Sequence, residues 1–299
     1  MQRRGFLGGA GGLAALTLSQ RAFALASTAD PRIKRQYVDC PFGQLHFHVA
    51  SPEAEAITAP PLVLLHQTAL SGRMFDRILP VLATNRVAIA VDTPGYGESD
   101  RPAARPTLAG YGDAILDALT WHFDSPFDLL GYHTGAAIAA DLAARREEVR
   151  RLVLVSMPYF DTARREKLLE QLRTPRPEES AYSEDGSHLA EMWRGSLGVR
   201  AEGQSLDQIS RLVSTKTRAG RFGHWALLSA MEQDLTATLA SIARPALVIA
   251  PHDGLQEQCH AAAKVIQGAQ LIELPDLAYG LFDAQPQRLA GLIDGFLGR

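Results

Sequence analysis

The stretch Asp128-Leu129-Leu130-Gly131-Tyr132-His133-Thr134-Gly135-Ala136-Ala137 constrains this chain more than any other. An apolar run of strand length ends in a Gly-x-x-x-Gly turn, and an Ala-rich pattern with helical character follows at once. Periodicity of this kind places a sharp strand-to-helix turn at the end of a buried strand. The residue at its apex is His133.

The rest of the chain alternates in the same way. Two runs, Gln36 to Asp39 and Gln44 to Val49, flank Pro41-Phe42-Gly43, a hairpin signal. Pro61 to His66 and Arg86 to Asp92 are apolar runs of the sort buried on both faces of a parallel sheet. Ser71 is expected to cap a helix running through Leu82. A helix near 107–123, a strand at 126–132, a helix at 134–147 and a strand at 149–156 follow. From about 157 to 236 only helical patterns appear, interrupted around 173–180. Alternation resumes with a strand at 245–250, a helix at 256–267, a strand at 271–274 and a last helix from 286. This order predicts an α/β fold, a mostly parallel, doubly wound sheet with helices on both faces. Its core comprises 36–156 and 237–299, and 157–236 forms a helical lid. Ligands bind beyond the carboxyl ends of such strands, where His66, Asp92, His133, Asp253 and the 276–283 loop fall.

With 46% apolar and 21% charged residues, the 299-residue chain can bury a core of ordinary size. A net charge of −3 and the lack of a long basic run argue against a nucleic-acid partner. Residues 1–26 stand apart. Gln2-Arg3-Arg4-Gly5-Phe6-Leu7 precedes a Gly/Ala/Leu segment ending at Leu18, and Ala24-Leu25-Ala26 offers a cleavage site. That is the pattern of a twin-arginine signal peptide. A basic unstructured N-terminus or a membrane anchor is the other reading, but the apolar part is short for a bilayer core of ~30 Å. The expectation is export by the twin-arginine machinery to the periplasm, with no integral membrane segment in the mature chain. Without Arg3, Arg4 and Arg21 that chain has 27 basic and 33 acidic residues, a net charge of −6. Cys40 and Cys259 would then meet an oxidising compartment. Their spacing suggests no metal site; two unpaired, mostly buried thiols are expected, with a disulfide as the other possibility.

Four segments occur in register: Leu64-Leu65-His66-Gln67-Thr68, Asp92-Thr93-Pro94-Gly95-Tyr96-Gly97-Glu98-Ser99, Gly131 to Gly135, and Pro251-His252-Asp253-Gly254. Together they resemble the α/β-hydrolase superfamily, in particular its lid-bearing branch of esterases, haloalkane dehalogenases, epoxide hydrolases and C–C hydrolases. They match its His-Gly-x-Pro segment, its Asp-x-x-Gly-x-Gly-x-Ser segment, its nucleophile elbow and the loop of its acidic triad member. The resemblance covers about 36–299. Two positions depart from it. It implies a hydroxyl, thiol or carboxylate at position 133, and a catalytic histidine where Tyr279 stands. None of the nine histidines lies in 261–299.

A histidine tolerates the positive φ of an elbow better than β-branched residues do. The helix that starts there disfavours imidazolium, so a neutral imidazole, usable as base or donor, is expected near neutral pH. The resemblance implies that the backbone amides of Thr68 and Thr134 form an oxyanion hole, each worth ~3–4 kcal/mol in the transition state. With Asp253 and Tyr279 as assistants, such a site suits proton abstraction beside a carbonyl, C–C cleavage or activation of water. Direct attack by His133 would leave an acyl-imidazole and no second histidine to activate water. Ser99 and Ser156 read as turn and strand-end residues. Gln67, in place of the family's glycine, would narrow the oxyanion region or bond a substrate; His66 and Asp92 read as braces. His224 and Trp225 are candidates for lining the pocket, although aromatics at helical spacing commonly serve packing. The reading is an enzyme of hydrolase or C–C lyase type acting on a small carbonyl-containing molecule, with no metal and no cofactor. The alternative is a catalytically inactive protein that binds a small ligand on the same scaffold.

Overall fold

The computed structural model describes residues 32–174 and 182–298. The export signal expected at 1–26 lies outside the described residues, as does most of the break expected around 173–180.

Eight strands form one sheet in the order β1-β2-β4-β3-β5-β6-β7-β8. β1 (Lys34–Cys40) and β2 (Gly43–Ala50) form the expected hairpin, and β2 runs antiparallel to β4 (Ala88–Val91). The remaining neighbours pair in parallel: β4 with β3 (Leu62–Leu65), then β5 (Phe127–Tyr132), β6 (Val149–Val155), β7 (Ala246–Pro251) and β8 (Gln270–Leu274).

The apolar runs are continuous because both faces of the sheet are covered. On one face Val63, Leu65, Leu129 and Val248 pack with Ile115 of α2 (Leu108–Leu119), Leu142 of α3 (Thr134–Arg145) and Ala262 of α9 (Gln256–Val265). On the other, Leu62, Leu64, Leu130 and Ile249 pack with Leu79 of α1 (Leu79–Leu82), Phe282 of α10 (Leu281–Ala284) and Ile293 of α11 (Pro286–Leu297). Successive residues of each strand serve opposite layers, as the pleat requires.

The helix expected from Ser71 through Leu82 does not form as one piece. Gly72–Phe75 is a 3-10 turn, α1 is a single turn, and the Ser71 side chain makes no capping bond. Pro80 explains the break, since it has no amide to donate and crowds the preceding turn; it is accommodated only at the start of α1.

Between β6 and β7 the described residues contain helices and no strand: α4 (Thr162–Arg173), α5 (Ser187–Gly198), α6 (Leu206–Ala219), α7 (Trp225–Glu232) and α8 (Leu235–Ala240). Ser205 and Gln208 close a reciprocal capping box at the start of α6. Tyr96, in the loop after β4, ties this segment to the sheet. Its hydroxyl donates to the Gly223 carbonyl (3.2 Å) and accepts from the Ala226 amide (2.9 Å).

Cys40 is half-buried and Cys259 buried, and both are free thiols. Burial pushes both thiol pKa values up, that of Cys259 to about 12, so neither is a ready thiolate. No helix among the described residues is long and apolar enough to cross a membrane.

Candidate active site

The turn between β5 and α3 has the geometry its glycines foretold. His133 has φ 52° and ψ −119°. A Cβ on Gly135 would sit 2.2 Å from the Leu65 carbonyl oxygen, and one on Gly131 2.3 Å from the Gly135 carbonyl oxygen. Backbone passes backbone here with no room for a side chain. The tight turn lifts residue 133 above the carboxyl edge of the sheet.

At that edge the strand order β5-β6-β7 aligns three side chains. His133 follows β5, Ser156 follows β6 with φ 52°, and Asp253 follows β7. His133 Nε2 lies 3.1 Å from Asp253 Oδ2, and the Ser156 hydroxyl donates to the same oxygen at 2.5 Å. The Leu255 amide donates to Oδ1 at 3.2 Å. Burial would raise the Asp253 pKa, but the imidazole bond, the attraction to His133 and the Ser156 hydroxyl outweigh it and hold the carboxyl below its usual range. Asp253 is therefore ionised and can only accept, which makes Nε2 the nitrogen of His133 that carries the donated proton. Nδ1 then keeps its lone pair. It has no hydrogen-bond partner among the described residues and is not a buried orphan, so it meets solvent.

Two phenols flank the imidazole. The Tyr132 ring meets it edge-on at 4.6 Å between centroids, and the Tyr279 ring lies nearly parallel at 5.8 Å, with 23° between planes. Burial and the charge of Asp253 push the Tyr279 pKa up, so this phenol is a neutral donor. Of the proposed oxyanion donors, Thr134 opens α3, where the helix supplies no acceptor for its amide. Gln67 lines a small cavity with Tyr132 and Tyr279, whereas Thr68 lines a neighbouring, wider groove with His224. Trp225 is not among the groove's lining residues; its ring packs on Phe222 at 4.8 Å.

His66 faces inward. Its Nδ1–H donates to the Gln67 carbonyl (2.8 Å), and its Nε2 accepts from the Thr93 amide (3.0 Å), joining the loops after β3 and β4. Burial lowers its pKa, against the opposing pull of Asp92. A histidine whose folded pKa is depressed stabilises the fold fully above the ordinary value of about 6.5, and that share is lost as pH falls toward the folded value. Urea unfolding should therefore show a smaller acid-side loss of stability in His66→Asn than in the unaltered protein. Parallel pH dependences would exclude the brace.

Asp92 sits beneath the same loops. It accepts from the Gly72 amide (2.6 Å), the Glu98 amide (2.9 Å) and His46 Nδ1 (2.9 Å), and His48 Nε2 lies 3.7 Å away. His46, His48 and Asp92 each offer one potential metal-ligand atom, all within 4.8 Å of one another. Both Asp92 oxygens already accept from backbone amides, and His48 Nδ1 faces Asp76 at 3.1 Å. Asp92 thus holds the loops through backbone amides, while His46 Nε2 and His48 Nε2 are buried with no hydrogen-bond partner among the described residues.

Sequence reasoning selected His133, Asp253 and Tyr279, which the fold brings together. It left out Tyr132, and it read Ser156 only as a strand-end residue. Nothing local marks either for the site. Tyr132 looks like the last core residue of β5, and Ser156 like the end of an apolar run.

A mostly parallel eight-stranded sheet covered on both faces, with a positive-φ apex between strand and helix, defines an α/β-hydrolase-fold protein. A family model described as alpha/beta hydrolase fold matches residues 60–211, just over half of the chain, and the chain belongs to that family. It is 27% identical to a pimeloyl-[acyl-carrier protein] methyl ester esterase of Xanthomonas campestris over 266 residues, 80% of this chain and 95% of that one. A protein of the same name from Chromobacterium violaceum is 37% identical over 99 residues, and there the match spans only 37% of the relative's length. Among solved structures, a hydrolase from Pseudomonas aeruginosa PA01 superposes with a TM-score of 0.71 at 24% identity, covering 89% of this chain and 99% of that one. The enol-lactonase from Burkholderia xenovorans LB400 gives 0.69 at 19% identity, covering 88% and 99%. These structural likenesses bear on the fold alone.

Proposed function

We propose that this chain is an exported hydrolase of small carbonyl compounds, esters above all, in which His133 is the general base. The observation behind the proposal is the bond from His133 Nε2 to the ionised Asp253, which leaves Nδ1 as a solvent-facing lone pair at the elbow. In this reading Nδ1 takes a proton from water as the water oxygen adds to the ester carbonyl. The tetrahedral oxyanion is held by the amides of Thr134 and Thr68. Its collapse expels the alkoxide, which recovers the proton from the imidazolium. Asp253 stabilises the transient imidazolium, and Tyr279 donates its neutral phenol to the substrate. The helices between β6 and β7 act as the lid, and Gln67 and His224 border the substrate. The esterase name of the Xanthomonas relative inclines the choice toward esters over C–C cleavage.

A covalent route through Ser156 fits poorly. That hydroxyl is completely buried and donates to Asp253, so no imidazole is placed to take its proton. Treatment with a fluorophosphonate is therefore expected to give no stoichiometric labelling, while turnover of small esters persists. Stoichiometric labelling would show that a serine attacks. Absence of turnover on esters and β-diketones alike would leave the ligand-binding role.

A further inference from the structure

Lys216 of α6 is half-buried between the two cavities beside the candidate site. The smaller has a volume of about 50 Å³ and is lined by Gln67, Tyr132, Ser196, Tyr279 and Lys216, among others. That is room for a few atoms the size of water. Tyr132 and Tyr279 are the rings that flank His133, so this cavity adjoins the elbow.

The Lys216 ammonium donates to the buried Ser196 hydroxyl at 3.0 Å. No carboxylate lies within ion-pair distance of it among the described residues. Burial lowers its pKa, and Glu191, which lines the wider groove with it, makes no ion pair to it. Arg86, which is completely buried, differs in meeting both Asp128 and Asp294. A desolvated cation with one neutral partner is costly to keep. Tyr132 adds a second donor: its hydroxyl is buried without a well-formed hydrogen bond, although it lies near the Ser156 hydroxyl. Asp283 also lines the cavity, but it is engaged by Gln204 at 3.0 Å, and burial pushes its pKa up.

We propose that Lys216 seats the carboxylate of an anionic substrate, so that the compound acted on at His133 is a small carbonyl compound bearing a second, ionised acid group. This rests on the reading of the elbow as the reacting end of the pocket. A carboxylate is favoured over a phosphate because the cavity is narrow and a single cation faces it.

Binding can be tested without turnover. Glutarate, the neutral isostere glutaramide and methylphosphonate are titrated by calorimetry against the mature protein, Lys216→Met, Lys216→Arg and His133→Ala. Glutarate is expected to bind and glutaramide not. Lys216→Met should weaken glutarate roughly tenfold or more, the worth of a charge-assisted contact, and Lys216→Arg should restore part of it. Binding should survive in His133→Ala, so failure of the catalytic reading would remain separate. No glutarate binding, equal binding of glutaramide, or an unchanged affinity in Lys216→Met overturns the proposal, and so does tighter binding of methylphosphonate than of glutarate.

Discussion

Replacing His133 with Ala is expected to lower kcat/KM for a small ester by roughly 10²–10⁴, the usual worth of a positioned general base. The fold should survive, because the apex is held by Gly131 and Gly135 and by the β5 and α3 backbone, not by the imidazole. Asn at position 133 is a useful second variant, since it tolerates positive φ better than most residues but cannot take up a proton. Both variants should lose the same activity. Asp253→Asn should move the rate in the same direction, because an amide can still accept from Nε2 but no longer offsets the imidazolium charge. Equal rates for wild type and His133→Ala across the pH range would remove the histidine from the reaction and leave a binding protein.

The second large effect concerns the far end of β5. Arg86 is completely buried; its guanidinium lies 3.5 Å from both Asp128 and Asp294 and donates to the Gly298 carbonyl at 3.1 Å. Asp128 is also fully buried, and its remaining cation is Arg150, 35% exposed, at 3.2 and 3.3 Å. Burial already raises the Asp128 pKa despite the arginines around it. Arg86→Met is thus expected to cost about 3–5 kcal/mol, the usual penalty for leaving a buried charge without its partner. The sign with pH follows. Loss of Arg86 pushes the Asp128 pKa up further, so the deficit should shrink as pH falls through the variant's new value and the carboxyl becomes neutral. Urea unfolding at neutral and mildly acidic pH measures both. The double variant Arg86→Met/Asp128→Leu should recover much of the loss, since an apolar pair needs no compensation. A single variant as stable as wild type would mean that Arg150 and solvent suffice for Asp128.

Much of the architecture was legible because burial on both faces of a sheet leaves a local mark. The runs at 61–66, 86–92 and 245–250 are uninterrupted for that reason, and Gly131 and Gly135 flank a turn where any Cβ would strike backbone. Local patterns failed where a single residue overrode them. The apolar spacing from Met74 to Leu82 is helical, yet Pro80 divides it into a 3-10 turn and one turn of α-helix. The site was legible in outline, since a chain position at the end of a strand predicts proximity to one rim. Its chemistry was not. Trp225 has suitable helical spacing but packs on Phe222, and Lys216 looks like any polar residue of an amphipathic helix.

By itself the sequence determined which segments are strands, where the sharp turn falls, and that an imidazole stands on it, because each of these depends on neighbours within a few residues. Only the tertiary structure decided that His133 and Ser156 share one oxygen of Asp253, 120 and 97 residues away, and that the rings of Tyr132 and Tyr279 flank the imidazole. Those relations follow from the order β5-β6-β7 in the sheet, and strand order is set by the packing of the whole chain, which no local period encodes.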